Sequence, residues 1–155
     1  MAELKPGVYW LDDLTVGDWY ETPGITLTDT HIVNFAGVIG DFFPLHMDDQ
    51  FAHEMGFKGR VAHGLLGLSM GDALKNRSEV IFKNIASIGW NWRFKAPLYA
   101  GDRIHVKAAV KAIKPSRSKP DRGVLTMWCE VINQDGAVVQ DGEHILMTRR
   151  RPEGS

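Results

Sequence analysis

An acid and an imidazole stand five residues apart in the run Gly40-Asp-Phe-Phe-Pro-Leu-His-Met-Asp-Asp49. Pro44, between Asp41 and His46, lacks an N–H and biases its predecessor away from helical geometry, so the run is not one continuous helix. A helix would in any case turn two side chains at this offset away from each other. A bent, partly extended segment can aim both at one point. The pair can then hold a single water, the carboxylate accepting one hydrogen bond and the imidazole making another. Downstream, Ala62-His63-Gly64 opens an apolar stretch that reads as a helix. The first N–H groups of a helix lack intrahelical partners and carry positive partial charge, which suits a developing anion. Two proton-handling groups and an anion-stabilising helix start make a candidate active site.

The elements that must position these groups follow from hydrophobic spacing. Thr28 is placed to cap a helix running to about Val38, with Ile32, Phe35, Ala36 and Ile39 at helical spacing. That helix delivers the chain to Gly40 and the Asp41/His46 segment. Asp48 or Asp49 caps a short helix, Gln50–Met55, that stops at Gly56. The most apolar helix runs from Gly64 to about Lys75. Its Gly64, Gly67 and Gly71 each cost about 1 kcal/mol against Ala, and their spacing puts them on one face. Close approach of that face to other backbone is the expected compensation, so this helix is read as the buried core helix.

The second half reads as strands. Trp90, Trp92 and Phe94 alternate with Asn91, Arg93 and Lys95 within Ala86–Leu98. Arg103–Ile113, Val124–Asn133 and Ala137–Arg149 complete the set, with an exposed loop at Lys114–Gly123 and a hairpin signal at Asp135-Gly136. Before the first helix, Val16–Thr22 is a short strand candidate, and residues 1–15 read as a peripheral lead-in. The fold class is therefore α+β, a helix packed on an antiparallel meander.

Bulk composition narrows the function classes. The 155 residues fit one domain, spanning 1–155 with its core at about 15–149, and the 44% hydrophobic and 24% charged content is that of a globular protein. A net charge of −1 gives no electrostatic reason to expect nucleic acid or an anionic membrane as partner. Cys129 is the lone cysteine, so no internal disulfide forms, and a reducing, cytoplasmic setting is expected. Neither a leader nor a membrane anchor is expected, since no apolar stretch reaches the roughly 20 residues a span requires.

The run from Gly40 to His46, followed by Ala62-His63-Gly64-Leu65, resembles the MaoC-like, (R)-specific enoyl-CoA hydratases of the hotdog fold. Their signature is Gly-Asp-x-Asn-Pro-x-His with a His-Gly at the start of the central helix. Lys95-Ala-Pro-Leu-Tyr-Ala-Gly-Asp102 is similar to the family's strand and turn after that helix. The resemblance implies a sheet wrapped around the central helix, a homodimer or higher homo-oligomer, an acyl-CoA thioester as substrate and no cofactor. It assigns Asp41 and His46 to holding and activating water and to managing the proton at C2. The N–H of Gly64 would bind the thioester oxygen. One position departs: Phe43 stands where the motif has Asn.

Other readings stay open beside this one. A hotdog acyl-CoA thioesterase would use a carboxylate elsewhere, with Asp72 and Asp49 the candidates, and Phe43 keeps open a non-catalytic acyl-thioester-binding subunit. His63 is read as structural, fixing the helix start through a hydrogen bond, and His31, His53, His105 and His144 as solvated or core residues. No metal site is expected, because His53-Glu54 lacks the second histidine of a zinc motif and one cysteine builds no zinc site alone. Arg93, Lys95, Lys58, Arg60 and the Lys111–Arg122 loop are weak candidates for the phosphates of coenzyme A.

Overall fold

The computed structural model describes residues 1–154. Its sheet is laid down mainly by the second half of the chain: β5 (Asn84–Phe94), β6 (Arg103–Pro115), β7 (Arg122–Ile132) and β8 (Val138–Arg149). With β2 (Trp19–Glu21) they are ordered β2-β6-β7-β8-β5, and β3 (Ile25–Thr26) also pairs with β6. All of these pairings are antiparallel. The period-two pattern does what it must. Ile104, Val106, Ala108 and Val110 of β6, and Leu125, Met127, Cys129 and Val131 of β7, are all buried, with less buried residues between them.

Helix α4 (Gly64–Asn76) packs on this inner face, giving the expected hotdog arrangement of a sheet around a helix. Its Leu66, Gly67, Gly71 and Leu74 are buried. A Cβ at Gly71 would lie 3.2 Å from Val131 and 3.4 Å from Val106, and one at Gly67 would overlap Gln140 and Leu98. The shared glycine face is thus a close-packing face, though it meets sheet side chains rather than bare backbone. Leu65, Ser69 and Ala73 lie on an opposite, exposed face, so in the single chain α4 is buried on one side only.

Three further helices lie between β3 and α4: α1 (Asp29–Ile39), α2 (Pro44–Met47) and α3 (Asp49–Glu54). Thr28 caps α1 by accepting from the N–H of His31, while the His31 ring accepts from the N–H of Thr28 at 2.9 Å. Asp48 caps α3 through the N–H groups of Gln50 and Phe51.

Residues 1–15 are not peripheral, contrary to the sequence expectation. Leu4, Leu11 and Leu14 are buried in the core, and β1 (Gly7–Tyr9) pairs in parallel with β4 (Val80–Phe82). Strands of three residues are too short to show a period, which is why neither was legible. The Lys114–Gly123 loop is shorter than expected, because β6 runs to Pro115 and β7 starts at Arg122.

Candidate active site

Gly40 ends α1 in the left-handed region, at φ +76°, with its N–H bonded to the carbonyl of Ala36. Glycine takes that conformation without a Cβ penalty, so the helix stops one residue before Asp41. The chain then runs without regular structure to Pro44, the first residue of α2. Proline fits there because its missing N–H would have had no helical partner. His46 therefore stands on a single helical turn, and Asp41 on the loop before it.

The two side chains converge. Asp41 Oδ1 accepts the N–H of Phe43 at 3.1 Å, which folds the loop and leaves Oδ2 free. That oxygen lies 3.9 Å from His46 Nε2. The separation exceeds a hydrogen bond, so both atoms remain available to a third. His46 Nδ1 lies 2.6 Å from the carbonyl of Val61. A carbonyl only accepts, so Nδ1 carries the proton, and in the neutral ring Nε2 presents a lone pair toward Asp41.

His63 holds this pair together from behind. Its ring stacks on His46 at 3.8 Å between centroids, and Phe35 of α1 meets its edge at 5.2 Å. Its Nε2 donates to the backbone carbonyl of Asp41 at 2.9 Å. The bond expected to fix the helix start instead fixes the acid's loop, while the residue itself is the N-cap position of α4 without a side-chain cap. Its Nδ1 is buried without a partner.

Gly64 follows directly. Leu66 and Gly67 donate to the carbonyl of His63, but among the described residues the N–H of Gly64 has no acceptor. A Cβ here would come within 2.9 Å of the Phe94 ring, so any other residue must displace that ring. Gln140 of β8 ties the site to the sheet: its Nε2 donates to the Gly64 carbonyl at 3.0 Å and its Oε1 accepts from Trp92 Nε1 at 3.0 Å. Sequence reasoning missed Gln140, and a partner 76 residues from Gly64 leaves no local signal.

Asp41, His46 and Gly64 all line one cavity of about 410 Å³, with Leu45, Phe57, Leu98 and Phe94 supplying apolar wall. Lys95 also borders it, paired with Asp141 at 3.1 Å. Arg60 lies outside, engaged with Asp29 and Asp49. Asp49 accepts the N–H of Arg60, which holds its carboxyl below the usual range. Asp72 faces a different cavity at the far end of α4. Burial pushes the Cys129 thiol up, as expected of inert packing.

The fold also assembles a group of metal-ligating residue types that no sequence spacing announced. Asp41, His46 and His63 each offer one ligand atom within 4.8 Å of the others. Of these, His63 donates Nε2 to a carbonyl and keeps its lone pair on Nδ1, so His63 Nδ1, Asp41 Oδ2 and His46 Nε2 are the atoms without a protein partner. Zinc sites use three or four protein ligands. Asp41 Oδ2 and His46 Nε2 are also placed to share a water.

Residues 13–128 match the MaoC like domain family. The chain belongs to that family. Its relatives include a 3-hydroxybutyryl-CoA dehydratase of Methylorubrum extorquens, 30% identical over 99% of this chain and 91% of that protein. An (R)-specific enoyl-CoA hydratase of Aeromonas caviae is 28% identical over 74% of this chain and 81% of its own length. The crystal structure of a MaoC-like dehydratase from Rhodospirillum rubrum superposes with a TM-score of 0.86 at 32% identity, covering 93% of this chain and 99% of that one. MaoC-like membership agrees with the motif read at Gly40–His46. No helix among the described residues is long and apolar enough to cross a membrane.

Proposed function

We propose that this MaoC-like protein reversibly hydrates a trans-2-enoyl-CoA to the (R)-3-hydroxyacyl-CoA. In such a thioester the carbonyl withdraws electrons from C3. Water adds there, C2 takes a proton, and negative charge builds on the thioester oxygen as an enolate. The observation that carries the reading is the state of three groups around one cavity. The Val61 contact places the neutral ring's lone pair on His46 Nε2, Asp41 Oδ2 is free 3.9 Å away, and the Gly64 N–H lacks an acceptor.

A water held between Asp41 and His46 loses a proton to the pair as it attacks C3, and the pair returns a proton to C2. The Gly64 N–H, at the positive end of α4, receives the enolate oxygen. An acyl chain seated against the apolar wall displaces water from the cavity and strengthens these contacts. The (R) outcome is carried by the resemblance and by the relatives' names. Phe43 leaves the pair intact: its backbone N–H serves Asp41, and its ring packs edge-on to Phe51 at 5.8 Å and to His46 at 6.2 Å.

A homodimer is the proposed assembly. β5 is an edge strand of the sheet, and Ile85 and Ile88 are exposed along it. Unpaired edge groups with exposed apolar side chains favour pairing with a second copy. Light scattering on the purified protein tests this, and a monomeric mass would overturn it.

The thioesterase reading is weakened by the engagements of its candidate acids, since Asp49 is tied to Arg60 and Asp72 to Lys75. Absorbance of the enoyl-thioester band with crotonyl-CoA and longer trans-2-enoyl-CoAs, with a thiol reagent in parallel, decides between the chemistries. Loss of the band without thiol is the expected result. Thiol release would instead identify a thioesterase, and binding without turnover on any chain length a non-catalytic subunit.

A further inference from the structure

A second built cavity, of about 210 Å³, lies at the other end of α4 against β5 and β8. It contains a relay that the proposed chemistry does not use. Lys75 Nζ lies 2.5 Å from His144 Nδ1, and His144 Nε2 lies 2.8 Å from Ser87 Oγ. The Lys75 and His144 side chains are only 9% and 4% exposed. Trp90 stacks on the His144 ring at 3.6 Å, and Lys75 sits 4.8 Å from the centre of the Trp90 ring.

An ammonium only donates, so His144 accepts at Nδ1 and carries its proton on Nε2, which it gives to Ser87. The Ser87 oxygen is thereby occupied as an acceptor, and its own O–H is left to donate into the cavity. Burial and the neighbouring ammonium push the His144 pKa down to about 3, so the ring stays neutral. Asp72, 3.3 Å from Lys75 through one oxygen, offers the other as an acceptor and cancels the ammonium's charge. Val80, Phe82, Met127 and Leu146 supply the apolar wall. Burying a cation costs several kcal/mol, and apolar side chains often fill such a place as well or better. Packing alone therefore gives no reason for this relay.

We propose that the cavity binds a neutral alcohol or carboxamide group on an apolar chain, held by the Ser87 hydroxyl as donor and Asp72 as acceptor. A carboxylate is disfavoured because it would face Asp72. Strand pairing along β5 would use its backbone groups, whereas the Ser87 hydroxyl is turned toward His144 on the inner face. Two sources present this chemistry: a separate small molecule, or the far end of a long acyl chain.

Titration of the whole protein with hexanamide, followed by NMR at Ser87, His144 and Trp90, tests the proposal. Saturable shifts at those residues are expected, with hexanoate much weaker and Asp41→Asn without effect on hexanamide binding. Ser87→Ala, a change at an exposed position, should weaken binding about fivefold through loss of one hydrogen bond. Absence of saturable shifts, equal binding of hexanoate, or unchanged affinity in Ser87→Ala would overturn it. A kinetic arm, which alone rests on the hydratase reading, separates the sources. If Ser87→Ala raises KM more for an omega-hydroxylated medium-chain 2-enoyl-CoA than for crotonyl-CoA, the group is the end of the substrate. Equal changes identify a separate molecule.

Discussion

The two ends of α4 each hold a histidine whose proton is fixed by a neighbour, but in opposite senses. At the N-terminal end, His46 gives its Nδ1 proton to the Val61 carbonyl and turns a bare Nε2 toward Asp41. At the C-terminal end, His144 takes a proton contact from Lys75 on Nδ1 and gives its Nε2 proton to Ser87. The same side chain presents a lone pair in one place and a hydrogen-bond donor in the other. Its partner at the second nitrogen decides which, because a neutral imidazole has one donor and one acceptor. Residue type alone does not identify a catalytic histidine.

The comparison breaks most directly at the first site. Asp41→Ala and His46→Ala should each lower kcat for enoyl-CoA hydration by about 100-fold or more, the worth of positioned acid–base catalysis, with circular dichroism unchanged. Near-wild-type turnover in either folded variant removes that residue from the mechanism. Gly64→Ala is expected to cost less, about tenfold in kcat. The N–H survives, but the new Cβ must push the Phe94 ring, 2.9 Å away, and so shifts the donor. Unaltered kcat would mean that the Gly64 N–H does not meet the reacting oxygen.

The second site predicts a pH effect on stability. The folded pKa of His144 is depressed from 6.5 to about 3, by burial first and by Lys75 second. Between these values the unfolded chain binds a proton that the folded chain refuses. This contribution is therefore whole above pH 6.5 and is lost as pH falls toward 3. Melting temperature measured from pH 7 to pH 4 should fall, and His144→Gln should flatten the fall. An identical slope in the variant would show that His144 titrates normally in the fold. The smallest effect is expected from Phe43→Asn. Loss of its edge contact with Phe51 costs about 1 kcal/mol, read as a small drop in melting temperature, and kcat should move less than tenfold. A silent wild type awakened by this change would mark Phe43 as the residue that suppresses hydration.

Much of the first site was legible because its signals are local. Pro44 excludes a continuous helix, Gly40 stops α1, and Thr28 and Asp48 cap their helices, so a ten-residue run sets up Asp41 and His46. The alternation of Trp90, Trp92 and Phe94 likewise placed them on one strand face, since strand side chains alternate with period two whatever lies opposite. The lead-in was misread because Pro6 and Gly7 interrupt any helix through Leu4, Leu11 and Leu14, which become core only when β1 docks beside β4.

The sequence by itself determined the acid–imidazole pair, the helix that starts at Gly64, the antiparallel meander and the resemblance to the MaoC-like family. These depend on short-range sterics, capping and hydrophobic period. Only the tertiary structure decided what each histidine does. His63 reaches the Asp41 carbonyl across 22 residues, Gln140 clamps Gly64 across 76, and Lys75 meets His144 across 69. Hydrogen bonds between residues so far apart leave no periodic trace along the chain. They exist only because α4 lies on the inner face of the sheet, and there they fix which nitrogen carries the proton.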